Sequence, residues 1–87
     1  MINCGISFID DERNEIINDI NKLLYESFYD RDEKYLETLK HLKNKLFHFR
    51  MKLAYNKGTE FLETNFGWTG MFDELNDKLE SQIKLFQ

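Results

Sequence analysis

Ser7, Ser27, Ser81 and Cys4 are the serine and thiol nucleophiles this chain offers for hydrolytic or transfer chemistry. Such a group needs a base within hydrogen-bond reach and a turn that exposes it. No serine has a histidine or a glycine-rich elbow near it in sequence, and Cys4 has no local base. The glycine pair Gly67-x-x-Gly70 is too sparse to cradle a phosphate. His41 and His48 are the two histidines. Seven residues of helix put them on one side but about 10 Å apart, too far to share a metal ion. On a helical wheel they fall with Lys34, Lys45 and Lys52, a basic solvent face. The one helical carboxylate a turn from either is Glu37, before His41. Sixteen acids make other carboxylate pairs common by chance. The side chains therefore predict no catalytic residue, no metal site and no cofactor.

Arg13 is more informative, because it interrupts an apolar stripe one turn after Ile9 and one turn before Ile16 and Ile17. A guanidinium aimed at a core must snorkel to water or find a carboxylate. Snorkelling at the bundle end is the first expectation. A specific ion pair is the second, with Glu60 and Glu63 of the connecting segment as candidate partners.

The elements that position these residues are helical. The chain has no proline, and its four glycines, at 5, 58, 67 and 70, fall outside the two longest periodic segments. Ile9, Ile16, Ile20, Leu23 and Leu24, widened by Ile17 and Phe28, predict a helix from about Asp10 to Phe28. Asp10, Asp11 and Glu12 suit its N-terminus. Asp32 is the expected N-cap of a second helix, about Glu33 to Asn56, and Gly58 its stop. Leu39, Leu42, Leu46, Phe49 and Leu53 form its seam. Thr59 to Phe66 is expected to form one or two turns, capped by Thr59, with Phe61 and Leu62 inward. A last helix is expected from about Thr69 to Phe86, with the stripe Phe72, Leu75, Leu79, Ile83 and Phe86 and with Trp68 just ahead.

At 87 residues and 10.6 kDa, residues 1–87 are expected to make one helical-bundle domain. Such a chain buries only about 60–65% of its unfolded surface, so large core side chains are needed. Eight Phe, four Tyr and one Trp meet that need. No apolar run approaches the ~20 residues of a membrane span, and no secretory leader is visible. A single cysteine excludes an internal disulfide. A cytoplasmic protein that meets no membrane is expected.

Charge is segregated along the chain. Residues 1–33 carry nine acids and three bases, residues 34–57 seven bases and one acid, and residues 58–87 six acids and two bases. A basic middle helix between acidic neighbours is expected to help set helix pairing. The alternative, a nucleic-acid patch using Lys34, Lys40, Lys43, Lys45, Arg50 and Lys52, fits poorly with a sequence pI near 5.1.

The segment from Gly5 to Tyr25 resembles the opening of bacterial hemerythrins. That family reads Gly-Ile-x-x-Ile-Asp-x-x-His, then an aliphatic stretch ending in Ile-Asn-x-Leu. Gly5, Ile6, Ile9, Asp10, Ile20, Asn21 and Leu23 or Leu24 match. His48-Phe49 is similar to the start of the family's His-Phe-x-x-Glu. The resemblance implies an up-down four-helix bundle that holds two irons through five histidines and two carboxylates. Here Arg13 stands at the first histidine and Lys52 at the glutamate, and no histidine follows His48. The third helix offers Trp68-x-x-x-Phe72 or Gly67-x-x-x-Met71, and the fourth is absent. Cations at 13 and 52 would repel iron. The resemblance thus implies a metal-free bundle filled by Phe49, Leu53, Trp68 and Phe72. Coincidence in an amphipathic helix is the alternative.

The reading that follows is an all-α bundle of three main helices and a short connecting one. It is expected to be non-enzymatic: a small interaction or regulatory protein, of a kind that would suit a phage or mobile-element inhibitor of a host protein. Residual oxygen or iron binding and nucleic-acid binding are the alternatives. With a fourth helix missing, the stripe Leu75, Leu79, Ile83 and Phe86 is expected to be covered by a homodimer or a partner's helix. Ile83 and Phe86 should contribute most to that contact. Arg13 and the basic face of Lys34, Lys45 and Lys52 are the other candidate contact residues.

Overall fold

A computed structural model describes residues 2–25 and 32–86. Its elements are α1 (Ser7–Tyr25), α2 (Glu33–Lys57), α3 (Thr59–Thr64) and α4 (Phe66–Lys84), and no strand occurs among the described residues. The expected all-α architecture of three long helices and a short one is observed. Phe28 and Ser27 lie outside the described residues.

Local chemistry sets the boundaries. The Asp32 side chain accepts from the Tyr35 N–H at 3.0 Å and opens α2, as its position predicts. Gly58 closes α2 at φ 84°, with its N–H on the Ala54 carbonyl. An L side chain is strained there, so glycine suits the site. The same Gly58 is the N-cap of α3, so Thr59 is that helix's first residue and makes no cap. α1 begins three residues before the expected Asp10. Gly5, at φ 93°, bends the N-terminal strap, and the Ile6 carbonyl then accepts from the Ile9 and Asp10 amides. α4 also begins three residues early and takes in Gly67, Trp68 and Gly70. The turn before it is tied by the Asn65 amide on the Phe61 carbonyl and by the Thr69 hydroxyl on the Leu62 carbonyl.

One core joins the long helices. It contains Ile9, Ile16, Ile20 and Leu23 of α1, the whole Leu39–Leu53 ladder of α2, and Trp68, Met71, Phe72, Leu75, Leu79 and Ile83 of α4. Phe61, Leu62 and Phe86 pack half-buried against it. Leu75, Leu79 and Ile83 are only 5%, 0% and 7% exposed in the single chain. The expectation that this stripe lies open for a partner is therefore corrected. α2 packs most extensively against α4, Tyr35 lies against Phe86, and the strap adds Cys4 and Ile6. Large aromatic side chains let three helices and a strap close what small ones would leave open.

The charge pattern works within the chain. Lys45 lies 3.7 Å from Asp19 and Lys52 3.0 Å from Glu12, which joins α2 to α1. Lys43 pairs with Glu80, and Arg50 lies 3.9 Å from Asp73, which joins α2 to α4. In both sets the partner number falls as the α2 number rises, so α2 runs antiparallel to each neighbour. Pairs this exposed contribute little individually, but they disfavour other registers.

Candidate functional site

Two places carry unusual chemistry. The first is the strap end of the bundle. Arg13 lies on the core side of α1 and is 5% exposed. It does not snorkel to water, and the carboxylate it meets is that of Asp10, one turn back on α1, in place of Glu60 or Glu63. Its Nε donates to Asn14 Oδ1 at 3.0 Å, one Nη to Asn3 Oδ1 at 2.9 Å and the other to the Ile2 carbonyl at 3.3 Å. The guanidinium stacks on Trp68, 4.8 Å from the ring centroid, and lies 3.8 Å from Asp10. Trp68 Nε1 donates to the same Ile2 carbonyl at 3.0 Å. Asp10 accepts the Cys4 N–H at 2.8 Å. Sequence spacing misses Ile2 and Asn3 because a strap without periodicity supplies them, whereas Asn14 and Asp10 are neighbours on α1 itself.

The same cluster decides the protonation states nearby. Burial alone would raise the Asp10 carboxyl, but the Cys4 hydrogen bonds, the Arg13 charge and the Gly5 amide outweigh it, and its pKa is lowered. The Cys4 thiol is buried and its pKa is raised, chiefly by desolvation. A thiol so placed is a poor nucleophile.

The positions where the resemblance would put iron ligands do not fit the metal. Arg13 brings a cation stacked on indole, Lys52 is bound to Glu12, and His48 is exposed while its neighbour Phe49 takes the core side. Phe49, Trp68 and Phe72 fill the interior with ring centroids 5.8–6.5 Å apart. Among the described residues no group of three His, Cys, Asp or Glu side chains could hold a metal ion.

The second place is the outer side of α2. Phe47, Met51 and Tyr55 are 60%, 54% and 91% exposed. At spacings of four they share one face, turned away from the Leu46–Phe49–Leu53 seam. The signal was present in the sequence as a second apolar register on the same helix, but the stronger leucine ladder masks it. Beside Phe47 a pocket of about 260 Å³ opens between α2 and α4. Its floor is Leu46 and Phe72, and its rim carries Lys43, Arg50, Asn44 and Asn76.

The basic face divides. Lys45 and Lys52 are held by α1 carboxylates, whereas Lys34 and His41 are exposed beside an open cleft shared with Lys22, Asp19 and Asp32. No described helix is long and apolar enough to cross a membrane. No protein-family model, curated protein or solved structure matches this chain.

Proposed function

We propose that this protein is a non-enzymatic interaction module, a metal-free helical bundle that acts by occupying a partner protein. The observation that carries the proposal is the exposed ridge of Phe47, Met51 and Tyr55 on a helix whose opposite side is fully engaged in the core. Large apolar side chains grouped on one exposed face mark binding surfaces more often than solvated ones. The buried Arg13–Trp68 stack supports the metal-free part of the reading, since it places a cation where a ligand would be needed. The antiparallel register of α2 with α1 and α4 supports a hemerythrin-like up-down scaffold. A regulatory or inhibitory role fits a small chain that would act through its surface.

The test is affinity capture from the native cell with wild-type protein and with the Phe47→Ser/Tyr55→Ser variant as paired baits. A stoichiometric protein recovered by the wild type and lost by the variant, with helicity unchanged by circular dichroism, supports the reading. Identical recoveries by the two baits overturn it, as does stoichiometric iron with a visible oxo-bridged band in the purified protein.

A further inference from the structure

The occupant of the α2 surface can be specified by its chemistry. We propose that the Phe47–Met51–Tyr55 ridge and the adjoining α2–α4 pocket dock an acidic amphipathic helix of a partner protein. This inference rests on the interaction reading above and adds the partner's charge and shape.

Shape comes first. The ridge covers two turns of α2, about 12 Å, which is the length over which a helix presents two or three anchors to a surface. The pocket beside it, about 260 Å³ in volume, has a floor of Leu46 and Phe72, 4% and 2% exposed. That apolar floor with a polar rim is the form of a site for one large anchoring side chain.

Charge decides the rest. Residues 34–57 carry seven bases and one acid in a chain of net charge −4. Lys43 and Arg50 stand on the pocket rim seven residues apart on one helix, again about 10 Å. Each already meets a carboxylate of α4, Glu80 and Asp73 respectively. The Arg50–Asp73 pair is loose, at 3.9 Å with side chains 43% and 66% exposed. A partner helix with acids at i and i+7 around an apolar anchor would match the rim cations while its apolar face covers the ridge.

The other occupants fit less well. Two copies meeting through α2 would set like charges against each other. The helices a second copy could offer with the right charge, α1 and α4, have their apolar stripes inside their own core. A nucleic acid supplies phosphates but no apolar face for Met51 and the pocket floor.

The experiment uses the full chain and a fluorescein-labelled synthetic helix of about 20 residues (roughly 30 Å of helix), with Leu and Phe on one face and Glu on its flanks. Three controls replace Glu by Lys, replace the apolar face by Ser, or substitute a labelled DNA duplex. Anisotropy gives affinity, and ¹⁵N amide shifts locate the contact. The expected result is saturable binding of the acidic helix with shifts confined to residues 43–55 and 72–76. Binding should weaken at least about tenfold for each peptide control, for Phe47→Ser/Tyr55→Ser, and for Lys43→Gln/Arg50→Gln. Equal or tighter binding of the Lys peptide, shifts on another face, no binding of any peptide, or salt-steep DNA binding indifferent to Phe47→Ser each overturn the proposal. Loss of a captured cellular partner in the ridge variant, together with failure of the acidic helix to bind, would leave the interaction reading standing and reject only this occupant.

Discussion

Removing the Arg13 guanidinium is expected to destabilise the fold by about 2–4 kcal/mol, although the residue sits on the first helix with no conventional carboxylate fork. Arg13→Met keeps much of the stem's packing and deletes the charge. It strips one donor from the Ile2 carbonyl and leaves Asn3 Oδ1 without its 2.9 Å partner. Hydrogen bonds from a charged donor are worth about 1.5–3 kcal/mol each, less where water can re-enter. The stack on Trp68, at 4.8 Å, adds about 1–2 kcal/mol in so buried a place. Asp10 would lose its nearby cation but keep the Cys4 N–H at 2.8 Å, which holds the total below the cost of a fully orphaned buried charge. Urea unfolding followed by the emission of Trp68, the only tryptophan, measures this directly. With an m-value of about 1–1.5 kcal/mol/M for a chain of this size, the midpoint should fall by about 1.3–4 M. Arg13→Lys keeps the charge but loses the planar fork, and should fall between. A midpoint for Arg13→Met equal to or above wild type would refute the account of Arg13 as the tie between strap and bundle.

Further outcomes are expected. Asp10 has a lowered folded pKa, so its stabilisation is complete above the ordinary carboxyl value of 3.8 and is lost as pH falls through the folded value beneath it; the stability gap between wild type and Asp10→Asn should be constant near neutrality and close in acid. Leu79 is 0% exposed, so Leu79→Ala should cost about 2–5 kcal/mol in denaturant titration, and Ile83→Ser/Phe86→Ser should lose helicity and not merely a contact. Lys52→Glu should cost about 0.5–1 kcal/mol against Glu12 at low salt, with Glu12→Lys restoring it and high salt erasing both effects. Arg13→His should bind no stoichiometric iron by elemental analysis, because Lys52 and the aromatic interior remain.

Periodicity reveals its own class of fact. The leucine ladder of α2, the α4 stripe, the Asp32 cap and the Gly58 stop all follow from local geometry and appear in the fold at their expected places. Segregated charge likewise anticipates which helices attract, and four ion pairs between α2 and its neighbours realise it. Helix starts were less legible. Gly5 and the Asn65 turn move two of them by three residues, since such turns depend on contacts across the chain. The ridge of Phe47, Met51 and Tyr55 was visible as a spacing but not as a surface, because spacing does not say which of two apolar faces wins the core.

The sequence by itself determined an all-helical chain, its main seams and the sign of charge on each helix, since these depend on residues within a few turns of one another. Only the tertiary structure decided where Arg13 points and what covers α4. Besides its α1 neighbours Asn14 and Asp10, Arg13 is satisfied by Ile2 and Asn3, ten or eleven residues away, and by Trp68, fifty-five residues away, and no local pattern could announce those three. The α4 stripe is covered because it shares one core with the Leu39–Leu53 ladder of α2 and the isoleucines of α1, and because Tyr35 lies against Phe86. Whether an apolar face becomes core or surface is a competition for volume, and that competition is settled only when all the helices are in place.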